Sequence, residues 1–269
     1  MKQLLPPFLK NKLKKYAWFW VYRNRFSTKA KEKNAHFVDS FQKGKPFPHQ
    51  WNVFTREGED GILLHLFLSI GNTNKQFIDI GSNDGINSNC ANLALHHAWN
   101  GIFIDANREA LQRGAYIYRS KLKEAAGRFR FLEQMVTPET IDNLLQHAGS
   151  NTEPDLLCID LDGNDYHIWN AIQTIRPRVV VTEVQIEKEM QVFVPPYQLE
   201  FEPYETEIPK GASVVSMNQL ASAKGYSLVA ANSGGYNLFF VRNDCMAGLK
   251  SVSPETIMAT TVSATATTK

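Results

Sequence analysis

Only three of the 269 residues are cysteine, and Cys90, Cys158 and Cys245 stand far apart. So sparse and odd a set excludes a disulfide-stapled scaffold and a cysteine-rich zinc site, and it suits a reducing compartment. Long hydrophobic runs are missing as well: no apolar stretch approaches the roughly 18 residues of a membrane span. The first residues lack the apolar core and small-residue cleavage site of a secretory signal, so a cytoplasmic location is expected. Net charge is small, with 29 Lys and Arg against 27 Asp and Glu. That balance hides a division. Residues 1–45 hold twelve Lys or Arg against Glu32 and Asp39, a local charge of +10, which leaves −8 on the remaining 224 residues. An acidic body excludes a nucleic-acid-binding core; only the basic leader could touch phosphates.

Against this background, residues 77–85 read FIDIGSNDG, a short strand running into a glycine-bracketed turn. Gly81 lets the chain turn sharply and come close to a ligand. Twenty residues past Gly85, a second strand, GIFID, ends in Asp105, where a carboxylate can accept hydrogen bonds from ribose hydroxyls. A dinucleotide fingerprint would place a second glycine where Asn83 stands and a third beyond it. Here a pyrophosphate would meet the Asn83 side chain and the charge of Asp84, so a dehydrogenase is the weaker reading. A cationic sulfonium without phosphate suits the loop better, which points to S-adenosylmethionine, with Asp79 and Asp84 facing its charged methionine end.

The rest of the chain alternates strands and helices. Residues 57–70 form an apolar helix with an acidic first turn, Glu57, Glu59 and Asp60, which complements the helix dipole and could border the pocket. A basic helix near 108–126 precedes a third strand over 128–136; DLLCID (155–160) is the fourth strand and RVVVTEV (178–184) the fifth. The fifth is so rich in β-branched residues that a central position is expected. Residues 186–210, with four prolines and many acids, read as a functional insertion above the sheet. YSLVAAN and YNLFFVRN flank Ser233-Gly234-Gly235 as a terminal hairpin. The expected fold is therefore α/β: a Rossmann-like, doubly wound, seven-stranded sheet, mostly parallel, with a C-terminal antiparallel hairpin.

Ahead of this body, a basic amphipathic helix follows Pro6 and Pro7, with YAWFWVY at 16–22. It reads either as a contact with anionic membrane through residues 8–26 or as a segment docked on the body. Lys-rich 29–33 reads as a linker. The expected division is a leader over 1–45 (amphipathic helix plus linker), a body over 46–248, and a disordered Thr-, Ala- and Ser-rich tail over 249–269.

A second set of acids lies at the ends of strands four and five: Asp160 and Asp162 in CIDLDGNDYH, and Glu183 in TEVQ. Ligands of open α/β sheets bind at the carboxyl ends of strands, so these groups should converge beside the nucleotide loop. Crowded carboxylates raise a pKa or demand a cation. Either one acid, or His167, acts as a general base on an acceptor hydroxyl, or Asp160, Asp162 and Glu183 hold a divalent cation. Asp165 is expected to cap the following helix.

Taken in order, FIDIGSNDG, GIFIDAN, CIDLDGNDYHIW, RVVVTEVQ and GYNLFFVRN resemble the class I S-adenosylmethionine-dependent methyltransferases, and more narrowly the FkbM-like branch, whose GEDGI segment stands here at Gly58–Ile62. The resemblance covers about residues 51–244 and makes the body a methyltransferase domain. It implies cofactor binding by Asp79, Gly81, Asn83, Gly85 and Asp105. It sets Glu133, Gln134, Met135 and Val136 against the adenine, and puts Asp160 where the methyl donor or acceptor is contacted. Thr55-Arg56, His167 and Gln185 depart from the residues common at those places in such relatives, and all three bear on the acceptor side. The implied activity is O-methylation of a small-molecule or glycan acceptor, a sugar or glycosylated hydroxyl. The alternative is a non-catalytic nucleotide-binding module recruited to a membrane or partner by its basic leader.

Overall fold

A computed structural model describes residues 23–44, 51–199 and 211–267. Its centre is a seven-stranded sheet in the order β3-β2-β1-β4-β5-β7-β6. The strands are β1 (Gln76–Ile80), β2 (Asn100–Asp105), β3 (Phe129–Glu133), β4 (Leu156–Ile159), β5 (Val179–Glu183), β6 (Tyr226–Ala231) and β7 (Asn237–Arg242). The first five run parallel, and β7 is antiparallel to both β5 and β6. The expected mixed sheet with its terminal hairpin is thus observed, and Val179, Val180 and Val181 of the fifth strand are buried on both faces. Period-two alternation divides the core. Phe77, Phe103 and Phe129 pack on one face, while Ile78, Ile80, Ile102 and Ile104 pack on the other.

Eight α-helices are described: α1 (Thr28–Gln42), α2 (Glu59–Ile70), α3 (Ala91–His96), α4 (Arg108–Leu122), α5 (Ile141–His147), α6 (Asp165–Ala171), α7 (Val214–Ala223) and α8 (Pro254–Thr267). None is long and apolar enough to cross a membrane. The acids at the start of α2 do more than meet its dipole. Asp60 accepts the backbone N–H groups of Val53, Phe54 and Thr55 at 2.6–3.0 Å, and Glu59 accepts that of Glu57 at 3.0 Å. They fold the preceding loop onto the helix.

Two expectations are corrected. The Lys-rich stretch 29–33 is the start of α1, not a linker. Ser27 caps it by accepting the Ala30 N–H, and Ala30, Asn34, Phe37 and Ser40 form its buried face. Asn34 and Asn92 exchange reciprocal amide hydrogen bonds at 3.1 Å, and Phe37 packs on Trp51. The lysines belong to the opposite, exposed face. The tail is also ordered in part as α8: Pro254 opens it, Ser253 accepts the Thr256 N–H, and Ile257 is buried in the core. Threonine hydroxyls at 260 and 261 bond back to the Ile257 carbonyl, satisfying themselves within the helix. The aromatic leader helix expected near Pro6, and most of the segment 8–26 assigned to a membrane, lie outside the described residues. Its described end docks on the body: Arg25 donates to the Ile86 carbonyl and Phe26 packs edge-on against Phe54.

Candidate functional site

In the order 3-2-1-4-5, the connections leaving β1 and β4 diverge, so a crevice opens between their carboxyl ends. Gly81 and Asp160, each the residue following its strand, meet there. Gly81 is left-handed (φ 79°), and a Cβ at this position would lie 1.7 Å from the Asp160 carbonyl oxygen. The loop can therefore cross β4 only with glycine. Asn83 is also left-handed (φ 50°), a conformation that asparagine tolerates better than most residues.

A cavity of about 420 Å³ fills this crevice. Of the residues expected to bind a cofactor, Gly81, Asn83, Asp105, Gln134 and Met135 line it, as do Val136, Asp160 and Asp162. Asp105 is held in place by two short hydrogen bonds, from the Asn83 N–H to one oxygen and from the Asn107 N–H to the other, each 2.6 Å. Asn87, Ala106, Asn107 and Leu161 complete the wall without having been singled out in the sequence. Ala106, Asn107 and Leu161 lie within the motifs and Asn87 two residues past Gly85, so only the turn geometry could have revealed them.

Four expected cofactor contacts fall elsewhere. Asp79 lies beneath the loop, buried, with its carboxylate receiving the Ser88 hydroxyl at 2.5 Å. Burial, with Asp160 and Asp105 nearby, raises its pKa to about 7. Asp84 is turned inward as well: it accepts the Ile86 and Asn87 N–H groups and pairs with Arg113 at 3.2 Å. Gly85 packs against Phe103, where a Cβ would approach the ring to 2.9 Å. Glu133 points outward to Arg108 at 3.5 Å. These residues build the loop and strand ends instead of lining the cavity.

A second cavity of about 490 Å³ adjoins the first, sharing Asn87, Asp160 and Asp162. Asp160, Asp162 and Glu183 do converge, with ligand atoms within 4.8 Å of one another. Asp162 is left-handed (φ 51°), which helps turn the chain toward the other two. Asp160 stands at the cleft floor, open to solvent yet flanked by protein. Loss of solvation first, then the charges of Asp162, Glu59 and Asp105, raise its pKa to about 6. Glu57 and Glu59 form the far wall, tied to the β6–β7 hairpin. Asn232 and Asn237 donate to Glu59 at 2.9 and 3.2 Å, and the Ser233 hydroxyl donates to Glu57 at 3.2 Å. Of the acids at the start of α2, Glu57 and Glu59 thus border the second cavity, and Asp60 borders neither.

His167 lines neither cavity. Its Nε2 is 2.7 Å from the Pro195 carbonyl and its ring packs on Tyr197, while Asn164 and Gln198 exchange two hydrogen bonds. It fastens the Pro-rich insertion to α6 and is not placed to take a substrate proton. Asp165 is buried in the first turn of α6 and accepts from the Leu161, Gly163 and Glu183 N–H groups at 3.2–3.4 Å. It braces the Asp160–Asp162 loop against β5; burial first and Asp160 second raise its pKa to about 7.

Solved structures of similar architecture include three methyltransferases. One is the magnesium protoporphyrin IX methyltransferase of Synechocystis with bound S-adenosylmethionine (10% identity, 68% of this chain and 77% of that one, TM-score 0.45). Another is an S-adenosylmethionine-dependent methyltransferase of Clostridium acetobutylicum (12%, 78% and 96%, TM-score 0.42). The third is a candidate caffeoyl-CoA O-methyltransferase of Staphylococcus aureus (13%, 86% and 99%, TM-score 0.48). No family model matches the chain, and no curated protein matches it in sequence.

Proposed function

We propose that this protein is an S-adenosylmethionine-dependent O-methyltransferase acting on a hydroxyl of a sugar or glycosylated molecule. The observation that carries the reading is the pair of joined cavities: one holds a ribose-type acceptor at Asp105, and the other is walled by polar groups and meets it at Asp160. The first fits the cofactor chemically, because its wall offers an acidic strand end for the ribose diol, Gln134 to Val136 for the adenine, and no phosphate cradle. When bound there, S-adenosylmethionine supplies an electrophilic methyl group on a sulfonium.

The chain's own residues then have defined tasks. Asn87 and Asp162, common to both cavities, orient the acceptor toward the donor, and orientation supplies much of the rate. Asp160 would take the hydroxyl proton of the acceptor; the bound donor would supply the methyl group to that oxygen and keep the electron pair of the broken carbon–sulfur bond on its sulfur. A pKa near 6 keeps most Asp160 ionised at neutral pH and still basic enough for this task. Asp160→Asn is expected to lower turnover by about 10²–10⁴-fold, with S-adenosylhomocysteine affinity changed only slightly. Normal turnover in a purified, cofactor-binding Asp160→Asn protein would remove the base assignment.

A specific observation favours a second role for the same acids. The spacing of Asp160, Asp162 and Glu183 would let them hold a hard divalent cation that polarises the hydroxyl. Loss of turnover in EDTA, restored by magnesium or manganese, would assign them that role.

A further inference from the structure

Resting on the methyltransferase reading, we propose that the acceptor carries a cationic amine, as an amino sugar or aminocyclitol does, and that Glu57, Asp160 and Asp162 select it. The acceptor cavity is located by its junction with the donor cavity, where Asn87, Asp160 and Asp162 line both. Its wall then sets a preference. Among the described residues that line it, Glu57, Glu59, Asp160, Asp162 and Glu183 supply five carboxylates, against Arg56 as the one cationic residue. The ion pairs formed among the described residues do not engage Glu57, Glu59, Asp160 or Asp162. The donors that meet Glu57 and Glu59 are neutral ones: a serine hydroxyl, two asparagine amides and a backbone N–H. These hydrogen bonds fix the carboxylates in position and leave their charge uncompensated.

The rest of the wall suits a polyol. Asn89, Asn232, Asn237 and Tyr236 offer amides and a phenol to hydroxyl groups, and Phe54 is the main apolar contribution. A phosphorylated or carboxylated sugar entering this space would meet the like charges of Glu57, Glu59, Asp160 and Asp162, a juxtaposition that costs several kcal/mol or well over a hundredfold in affinity. An ammonium group meets the opposite situation.

The test is methyl transfer from tritiated S-adenosylmethionine by the full chain to three pools. The first holds amino sugars and aminocyclitols with free amines, the second their N-acetylated forms, and the third their phosphate esters. All are run with EDTA and with magnesium. The expected result is transfer to the amine pool at least about tenfold above the acetylated pool, with none to the phosphates, in EDTA as in magnesium. Glu57→Gln is expected to cut the amine-to-acetyl ratio by about two- to fivefold, the size of a partly exposed ion pair. Equal transfer to acetylated or phosphorylated acceptors overturns the proposal, as does an absolute need for magnesium. Tight S-adenosylmethionine binding without transfer to any pool also overturns the acceptor class while leaving the cofactor site standing. Failure to bind S-adenosylmethionine at all instead removes the reading beneath it.

Discussion

Asp105 does two things at once: it accepts the Asn83 and Asn107 N–H groups and lines the first cavity. Asp105→Ala is therefore expected to weaken S-adenosylhomocysteine binding by about ten- to a hundredfold, the size of a charged hydrogen bond. Unchanged affinity by calorimetry would refute the ribose assignment. Asp79 illustrates the opposite kind of acid, one whose position at the motif suggests a ligand and whose surroundings make it structural. Burial raises its pKa from 3.8 to about 7, so between those values the folded protein holds a proton that the unfolded chain releases. Its contribution to stability is complete at low pH and is lost as pH rises through about 7. Asp79→Asn should flatten that part of the pH profile, and urea titrations at about pH 5 and about pH 8 measure it. An unaltered slope would show that Asp79 ionises as freely folded as unfolded. From sequence, Asp105 is expected at the ribose and Asp79 and Asp84 at the methionine end of the same loop. Which of them faces the cavity depends on Ser88 and Arg113, contacts that no motif spacing encodes.

At the level of elements, β1 to β5 and the hairpin were legible because each alternates or runs apolar between turn residues. Two of the helices that were not, α1 and α8, share a reason. The buried face of α1 consists of Ala30, Asn34, Phe37 and Ser40, only one of them strongly apolar, and α8 anchors through Ile257 among threonines. Pairing between asparagines and capping by serines leave no hydrophobic period to read. The amino-terminal side of the sheet is held by another feature without periodicity. Arg178, at the start of β5, pairs with buried Asp155 at 2.9 Å and donates to the Ile70 and Gly71 carbonyls at the end of α2. Asp155 also accepts the Thr73, Asn74 and Lys75 N–H groups. Burial works against its charge, but Arg178 and these donors hold its pKa below 3.8. Arg178→Ala strands that carboxylate and is expected to destabilise the fold by about 3–5 kcal/mol, read from the urea midpoint. A loss below about 1 kcal/mol would show the pair to be solvent-screened.

Over the whole molecule, chain topology brings distant residues together at one crevice. Gly81, Asp105, Asp160 and Glu183 come from four strands whose carboxyl ends point the same way, so their meeting was predictable from the parallel sheet alone. The wall of the second cavity was less legible, because Glu57 and Glu59 are tied there by the hairpin contacts of Asn232, Ser233 and Asn237. Charge is partitioned on the same scale: residues 1–45 carry +10 and the remaining 224 carry −8, and five of the acids of that second part line the second cavity. The most direct measurement is calorimetric titration of the purified chain with S-adenosylhomocysteine, paired with the same titration using a nicotinamide dinucleotide. Saturable one-to-one binding of S-adenosylhomocysteine, with none of the dinucleotide, is the expected result. Binding of the dinucleotide, or of neither ligand, would contradict it.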